Sequence, residues 1–221
     1  AYAACYAGLK YGQSHISLVA SGGHTSLLDV DPDGSIRLIG QTVDDAAGEA
    51  YDKVSKLLGF GYPGGPVIDK LANTCRKPSF QFPRPMMKSK NLDFSFSGLK
   101  TAVMYHHKTS PDSPPEEVAG AFQEAVVDVL VTKTLKAARK LKKNTVSVVG
   151  GVAANSALRK RFDEKCKREG FNLFIPVPRL CTDNAAMVAG LGYHKFTANI
   201  IDDLSLGVAS QSGLKQISIE L

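Results

Sequence analysis

The chain has 221 residues, of which 43% are hydrophobic and 22% charged, and its formal net charge is +6. This is an ordinary globular composition with no apolar run of membrane-spanning length, and the positive charge permits an anionic partner without requiring one. The four cysteines form no C-x-x-C pair, so neither a zinc knuckle nor a disulfide framework is indicated.

The first third of the chain predicts a β-meander. Residues 14–20 and 24–30 are rich in β-branched and apolar residues, and a third strand is predicted near 36–41. The turn between the first two strands contains Gly22 and Gly23. Residues 1–6 resemble the end of a helix that stops near Gly8, so we expect further sequence before residue 1.

The middle of the chain changes to helical spacing. A helix is predicted over residues 45–58, a rigid loop over 62–66 and a short helix over 67–75. The proline-containing stretch 77–91 predicts a surface loop, and residues 99–107 predict another helix.

The second half predicts helices that alternate with single strands. The longest helix, 114–142, has Ser113 as its expected cap and Pro114 in its first turn. Strand 145–149, a glycine turn with a helix to residue 169, and strand 172–177 follow. A last helix, opened by Thr182 or Asp183, extends to residue 194. This order favours an α/β layer fold.

Two glycine turns are candidate phosphate or nucleotide sites. Backbone N–H groups at Ser21-Gly22-Gly23 and at the turn 150–155 can approach an anion because glycine has no Cβ, and a helix N-terminus follows the second turn. Asn155 adds an amide that can read an adenine edge or a ribose hydroxyl. Taken alone, the first segment favours a plain hairpin turn, whereas the second indicates a nucleotide site but is also compatible with a common strand-to-helix turn.

Three carboxylates have both a functional and a structural interpretation. Asp52 and Asp69 flank the Gly64-Gly65 loop and could accept hydrogen bonds from ribose hydroxyls, or they could be solvated helix residues. Asp183 could be a metal or phosphate ligand, or a helix N-cap. No histidine pair has the spacing of a known zinc motif.

Six ordered blocks carry a family resemblance, and together they cover the chain from about residue 16 to 196. The chain resembles the tRNA N6-adenosine threonylcarbamoyltransferases, formerly called O-sialoglycoprotein endopeptidases, in a bacterial or mitochondrial form. The blocks are Ser21-Gly22-Gly23-His24-Thr25, residues 44–53, Tyr62-Pro63-Gly64-Gly65-Pro66, residues 94–100, residues 150–155, and Cys181-Thr182-Asp183-Asn184-Ala185.

The resemblance implies an α/β fold of the actin-like ATPase (ribonuclease H-like) type with two lobes and a nucleotide between them. It assigns residues 1–105 to the remainder of an incomplete first lobe and residues 106–221 to the second lobe. It also implies transfer of a threonylcarbamoyl group from L-threonylcarbamoyl-adenylate to N6 of adenosine 37 in tRNAs that read ANN codons.

Site residues are implied by the same match. The segment Val19-Ala20-Ser21-Gly22-Gly23 would hold the phosphate side of the adenylate. Asp52, Gly65 and Asp69 would contact the ribose, and Asn155 would lie at the base. Asp183 would bind one divalent metal, iron or zinc.

One departure concerns this metal. Family members carry an H-x-x-x-H helix before the strand that leads into Ser21, and both of its metal-binding histidines lie outside this sequence. We therefore expect the 221-residue chain alone to be inactive, because Asp183 is a single ligand and catalytic sites of this kind use three.

Partners and alternatives follow from the resemblance. The implied partners are tRNA and, in a bacterial cytoplasm, a paralogous scaffold subunit and an ATPase subunit; a mitochondrial enzyme would act as a homodimer. No membrane association is expected. The alternatives are a small-molecule kinase of the actin-like fold and a non-catalytic scaffold paralogue.

Overall fold

The computed structural model describes residues 1–207, which form one five-stranded sheet flanked by helices. The strands are β1 (His15–Ala20), β2 (Thr25–Val30), β3 (Ile36–Gln41), β4 (Thr145–Val149) and β5 (Asn172–Phe174). The α-helices are α1 (Ala47–Leu57), α2 (Gly64–Ala72), α3 (Ser97–Thr109), α4 (Pro115–Lys140), α5 (Ser156–Glu169) and α6 (Ala185–Thr197). Short 3₁₀ helices cover Tyr2–Ala7, Gly151–Ala154 and Pro178–Leu180.

The strand order is β3-β2-β1-β4-β5. The first three strands form an antiparallel meander, whereas β4 pairs in parallel with β1, and β5 in parallel with β4. As a result β1, β3, β4 and β5 all run in one direction, and their carboxyl ends lie at the same edge of the sheet. Ligands of open α/β sheets bind outside this edge.

Helix α4 forms the centre of the core. It is apolar around most of its circumference, and its Phe122, Val126 and Leu130 are fully buried. A helix that is hydrophobic on all sides is buried on all sides, and α4 contacts α2, α5 and the sheet. Helix α4 thus holds α2 and α5 in the same core.

The order and type of the predicted elements are confirmed, and three helix starts are corrected. Helix α2 begins at Gly64, inside the predicted loop, because a proline at residue 66 is tolerated where helix N–H groups lack intrahelical partners. The cap of α4 is Pro114 and not Ser113, without a side-chain hydrogen bond. Helix α6 begins at Ala185 and is capped by Asn184, so the predicted cap roles of Thr182 and Asp183 are wrong. Strand β5 is also shorter than expected.

The predicted α/β class is confirmed by the mixed sheet. The sheet draws strands from both sides of the proposed boundary at residues 105 and 106, since β1 before it pairs with β4 after it. The division into two lobes between residues 105 and 106 remains a prediction. The last residues of the predicted second lobe, 208–221, lie outside the described part of the chain.

Candidate functional site

Two glycine turns meet where β1 and β4 end. Gly150 has a φ of 93°, and a Cβ at this position would lie 2.3 Å from the carbonyl oxygen of Ala20. Only glycine combines this backbone angle with such a close approach. The Ser21-Gly22-Gly23 turn after β1 and the turn after β4 are therefore neighbours at the carboxyl edge.

The start of α1 is held against the first of these turns. A Cβ on Gly48 would lie 2.6 Å from the carbonyl oxygen of Ser21, and the Gly48 N–H donates to that oxygen at 3.1 Å. The Ala47 N–H donates to Thr25 Oγ1 at 2.8 Å. Two hydrogen bonds thus satisfy first-turn N–H groups of α1 and fix its position beside the turn.

Asp52 lies one turn further along α1, on the same face as Gly48. Its Oδ1 accepts a hydrogen bond from the Gly64 N–H at 2.7 Å, which caps α2 from a neighbouring helix. A Cβ on Gly64 would lie 2.5 Å from the carbonyl oxygen of Tyr51, so glycine is needed for this packing. Gly65, the next residue, has open space where its Cβ would be.

Asp69 lies on α2, four residues after Gly65, and binds the start of α5. Its Oδ2 accepts from the Ser156 N–H at 3.0 Å and its Oδ1 from the Ser156 hydroxyl at 2.8 Å. Asn73 donates its amide to the same hydroxyl oxygen at 2.9 Å. A carboxylate at a helix N-terminus is favoured by the helix dipole, so Asp69 joins α2 to α5.

Asn155 is the N-cap of α5 and is 8% exposed. Its Oδ1 accepts from the Leu158 N–H at 2.9 Å, and its Nδ2 donates to Gln123 Oε1 at 2.6 Å. The Tyr51 hydroxyl, 3.5 Å away, lies beside both amides. Both ends of the Asn155 amide are thus engaged within the protein, and a contact with a base would have to replace one of these hydrogen bonds.

These contacts form a closed ring at the carboxyl edge of the sheet. The turn after β1 contacts the start of α1, α1 contacts the start of α2, and α2 contacts the start of α5. The turn after β4, which leads into α5, contacts the end of β1 and closes the ring. Glycines of the ring fall into two groups. A Cβ on Gly48, Gly64 or Gly150 would lie within 2.6 Å of a backbone oxygen, whereas Gly22, Gly23, Gly65 and Gly151 have nothing within 4 Å of that position. The first group brings the turns together, and the second leaves backbone accessible to a ligand.

The ring can serve an anionic ligand that carries hydroxyl groups. Accessible backbone N–H groups of glycine turns suit phosphate oxygens, and carboxylates accept hydrogen bonds from hydroxyls. The structure brings the predicted residues Ser21 to Gly23, Asp52, Gly65, Asp69 and Asn155 to this one edge. Val19 and Ala20 belong to β1, and Ala20 is fully buried, so this pair offers backbone rather than side chains.

Sequence reasoning missed two structural partners of the ring. Ser156 directly follows the matching block at residues 150–155, and only the structure shows that it binds Asp69. Gln123 is a polar residue within the apolar stripe of α4, and this break in the pattern was the available signal. It is 4% exposed, and its amide oxygen accepts from Asn155.

A second constellation joins two of the matching blocks. The Asp44 carboxylate accepts hydrogen bonds from the hydroxyls of Ser95 at 2.5 Å and Ser97 at 2.7 Å, and from the Phe96 N–H at 2.8 Å. Burial alone would raise the pKa of Asp44, but these hydrogen bonds outweigh it and lower the pKa. Asp44 thereby secures the start of α3.

Asp183 stands apart from the ring. It is exposed, one residue before the N-cap Asn184. Across residues 1–207 no group of three or more His, Cys, Asp or Glu side chains is arranged to hold a metal ion. The donor set present in the described residues therefore does not fit a catalytic metal.

The N-terminal 3₁₀ helix nevertheless lies beside the start of α6. The Tyr6 hydroxyl donates to the carbonyl oxygen of Ala186 at 2.5 Å, three residues after Asp183. Gly190 packs against Tyr2 and Tyr6, so this contact continues along α6. The segment that leads into β1 thus packs against the first two turns of α6, the helix that follows Asp183.

Comparison with known proteins decides the family. The model of a family described as tRNA N6-adenosine threonylcarbamoyltransferase matches residues 1–190. The chain belongs to this family. A curated relative of that name from Thermotoga neapolitana is 52% identical over 191 residues, covering 86% of this chain and 58% of the relative. One from Syntrophotalea carbinolica is 49% identical over 207 residues, covering 91% of this chain and 60% of the relative.

The chain thus spans about three fifths of the length of these relatives. The family name is that of enzymes that act on tRNA, and the family is generally metal-dependent. Neither relative carries a kinase or scaffold name, so nothing in these matches favours the two alternatives.

Solved structures confirm the fold. A full-length HypF structure, in a phosphate- and nucleotide-bound form, superposes with a TM-score of 0.68 at 14% identity, covering 93% of this chain and 43% of HypF. Component A of the Acidaminococcus fermentans (R)-2-hydroxyglutaryl-CoA dehydratase gives a TM-score of 0.54 at 15% identity, covering 89% and 69%. These neighbours place the chain in the actin-like ATPase fold. Within residues 1–207 no helix is long and apolar enough to cross a membrane.

Proposed function

We propose that this chain is the nucleotide-holding part of a tRNA N6-adenosine threonylcarbamoyltransferase. The observation that carries the proposal is the 52% identity to a relative of that name over 86% of the chain. In the proposed reaction, N6 of adenosine 37 attacks the carbamoyl carbon of L-threonylcarbamoyl-adenylate. The new C–N bond forms, the bond from that carbon to the phosphate oxygen breaks, N6 loses a proton and AMP leaves.

The closed ring supports a specific arrangement of the adenylate. The phosphate would lie at the segment Val19-Ala20-Ser21-Gly22-Gly23, where Gly22 and Gly23 leave the backbone open. The ribose hydroxyls would donate to Asp52 and Asp69 beside the open Gly65. Asn155 would lie at the base, where a contact requires exchange of its hydrogen bond to Gln123.

We also propose that Asp183 is a metal ligand in a longer protein of this family. The contact of the Tyr2–Ala7 helix with the first turn of α6 supports this, because it brings the segment before β1 to the helix that begins two residues after Asp183. Further ligands have to come from outside residues 1–207, and iron or zinc remains the expected ion. A paralogous scaffold subunit, an ATPase subunit and a bacterial cytoplasmic location are the proposed context; a mitochondrial homodimer is the alternative.

The nucleotide site can be tested on this chain with AMP in a calorimeter. Gly65→Ala adds a methyl group in open space, so stability should barely change while AMP binding weakens. Gly61→Ala is the matched control, because Gly61 also has nothing within 4 Å of its Cβ position but lies outside the ring. Equal AMP affinity in the two variants would remove Gly65 from the site.

The reaction itself requires the whole protein with its partner subunits. Transfer from L-threonylcarbamoyl-adenylate to an ANN-reading tRNA should be detected by mass spectrometry of its nucleosides, and the same tRNA with guanosine at position 37 should remain unmodified. Modification of both tRNAs, or of neither, would contradict the proposed reaction.

A further inference from the structure

A cleft of about 540 Å³ borders the closed ring at Ser156. It lies between the end of α2, the first half of α4 and the exposed side of α5. Ser156 belongs to both places, because its hydroxyl and N–H bind Asp69 while the residue lines the cleft. The cleft therefore adjoins the candidate nucleotide site at Ser156.

A second cleft of about 770 Å³ continues the same surface along α4 and α5 towards the loop at residues 84–89. Arg161 lines the first cleft and binds Asp128, which lines the second. From Ser156 to Lys165 the surface follows nine residues of helix, about 14 Å at about 1.5 Å per residue. Several phosphates of one nucleic-acid strand fit along such a length.

The two clefts together carry an excess of positive charge. Their lining contains the six basic residues Arg76, Arg84, Lys88, Lys160, Arg161 and Lys165 and the three acidic residues Glu124, Asp128 and Glu164. Arg84 and Arg161 are paired with Asp128. Among residues 1–207 the other four basic side chains form no ion pair, and they remain able to bind phosphates.

We propose that this surface, the α4–α5 basic surface, binds the phosphodiester backbone of the RNA whose adenosine reaches the nucleotide site. The proposal rests on the proposed function, which supplies an RNA substrate. A lysine or arginine that contacts phosphate releases condensed counterions, so affinity depends on these charges and on salt without reading sequence. The surface thus positions the substrate, and the ring holds the adenylate.

The test is a filter-binding titration of the whole chain with an ANN-reading tRNA at several salt concentrations. A quadruple variant, Arg76→Gln, Lys88→Gln, Lys160→Gln and Lys165→Gln, should have a salt slope smaller by roughly 2 to 3, and it should therefore bind roughly 100- to 1000-fold more weakly near 0.1 M salt if the two affinities converge near 1 M. The control is Lys10→Gln with Lys56→Gln and Lys195→Gln, three exposed lysines outside both clefts. Equal melting temperatures and equal AMP affinities show that both variants fold.

The outcomes separate this inference from the proposed function. If the wild type binds tRNA and the quadruple variant binds it equally well, the surface assignment is wrong and the proposed function stands. If the wild-type chain binds no tRNA, the assignment and the RNA-binding role of this part of the protein both fail. If poly-L-glutamate binds the surface as tightly as tRNA, an acidic peptide replaces RNA as the partner.

Discussion

Replacing Asn155 by alanine separates the capping role of this residue from its proposed role at the base. The substitution removes the N-cap of α5, which costs about 1 kcal/mol. It also leaves the Oε1 of the buried Gln123 without its closest donor, which costs about 1–3 kcal/mol more. The expected loss of unfolding free energy is therefore about 2–4 kcal/mol, or roughly 4–16 °C in melting temperature.

Asn184→Ala is the matched control. Asn184 caps α6 in the same way, with its side chain accepting from the Met187 N–H at 3.0 Å, but it binds no buried side chain. It should cost only about 1 kcal/mol. Urea unfolding monitored by circular dichroism measures both values, and the larger loss for Asn155→Ala is expected from the bond to the buried Gln123, because the Nδ2 of Asn184 donates only to backbone carbonyls.

The double variant Asn155→Ala, Gln123→Ala completes the measurement, and the expected coupling energy is about 0.5–3 kcal/mol. AMP calorimetry on the same proteins tests the base contact: loss of one hydrogen bond to the ligand weakens binding by about fivefold. If Asn155→Ala costs no more than Asn184→Ala, the structural reasoning about Gln123 is refuted. If AMP affinity is unchanged, Asn155 has only a structural role.

Three further predictions follow from particular contacts. Gly150→Ala should lower the free energy of unfolding in urea by about 2–5 kcal/mol, because it combines a left-handed φ with a Cβ 2.3 Å from the carbonyl oxygen of Ala20. Gly151→Ala is the control and should cost under about 1 kcal/mol, because there is open space at its Cβ position. Equal costs would contradict the packing argument. Burial lowers the pKa of His15, whose ring lies near Asp29 and Lys143, so the unfolded state binds the proton more tightly and stability should fall as pH drops below about 6.5. His15→Phe should weaken this dependence in urea unfolding at several pH values, and an unchanged dependence would contradict the assignment to His15. In the whole protein, Asp183→Asn should abolish metal content and transfer activity without a change in melting temperature, since Asn184 and not Asp183 caps α6; normal metal content would exclude Asp183 as a ligand.

The pattern of polar and apolar residues predicted the helices and strands because the sequence signals for these elements are local. Strands β1 to β4 lie within one residue of their predicted bounds, since β-branched runs between turns depend little on distant contacts. The start of α2 was missed because its cap comes from Asp52 on another helix. The partners of Asp69 and Asn155 were missed for the same reason: Ser156 is 87 residues from Asp69, and Gln123 is 32 residues from Asn155.

The same long-range caps bear on how a nucleotide can be oriented at the closed ring. Asp52 and Asp69 already satisfy the Gly64 and Ser156 N–H groups. Their negative charges disfavour a phosphate beside them and favour hydroxyl donors. The open backbone of Gly22 and Gly23 lies at the start of α1, one helical turn before Asp52, and is the remaining place for the phosphate. The ribose is therefore expected at the carboxylates of Asp52 and Asp69, and the phosphate at the first glycine turn.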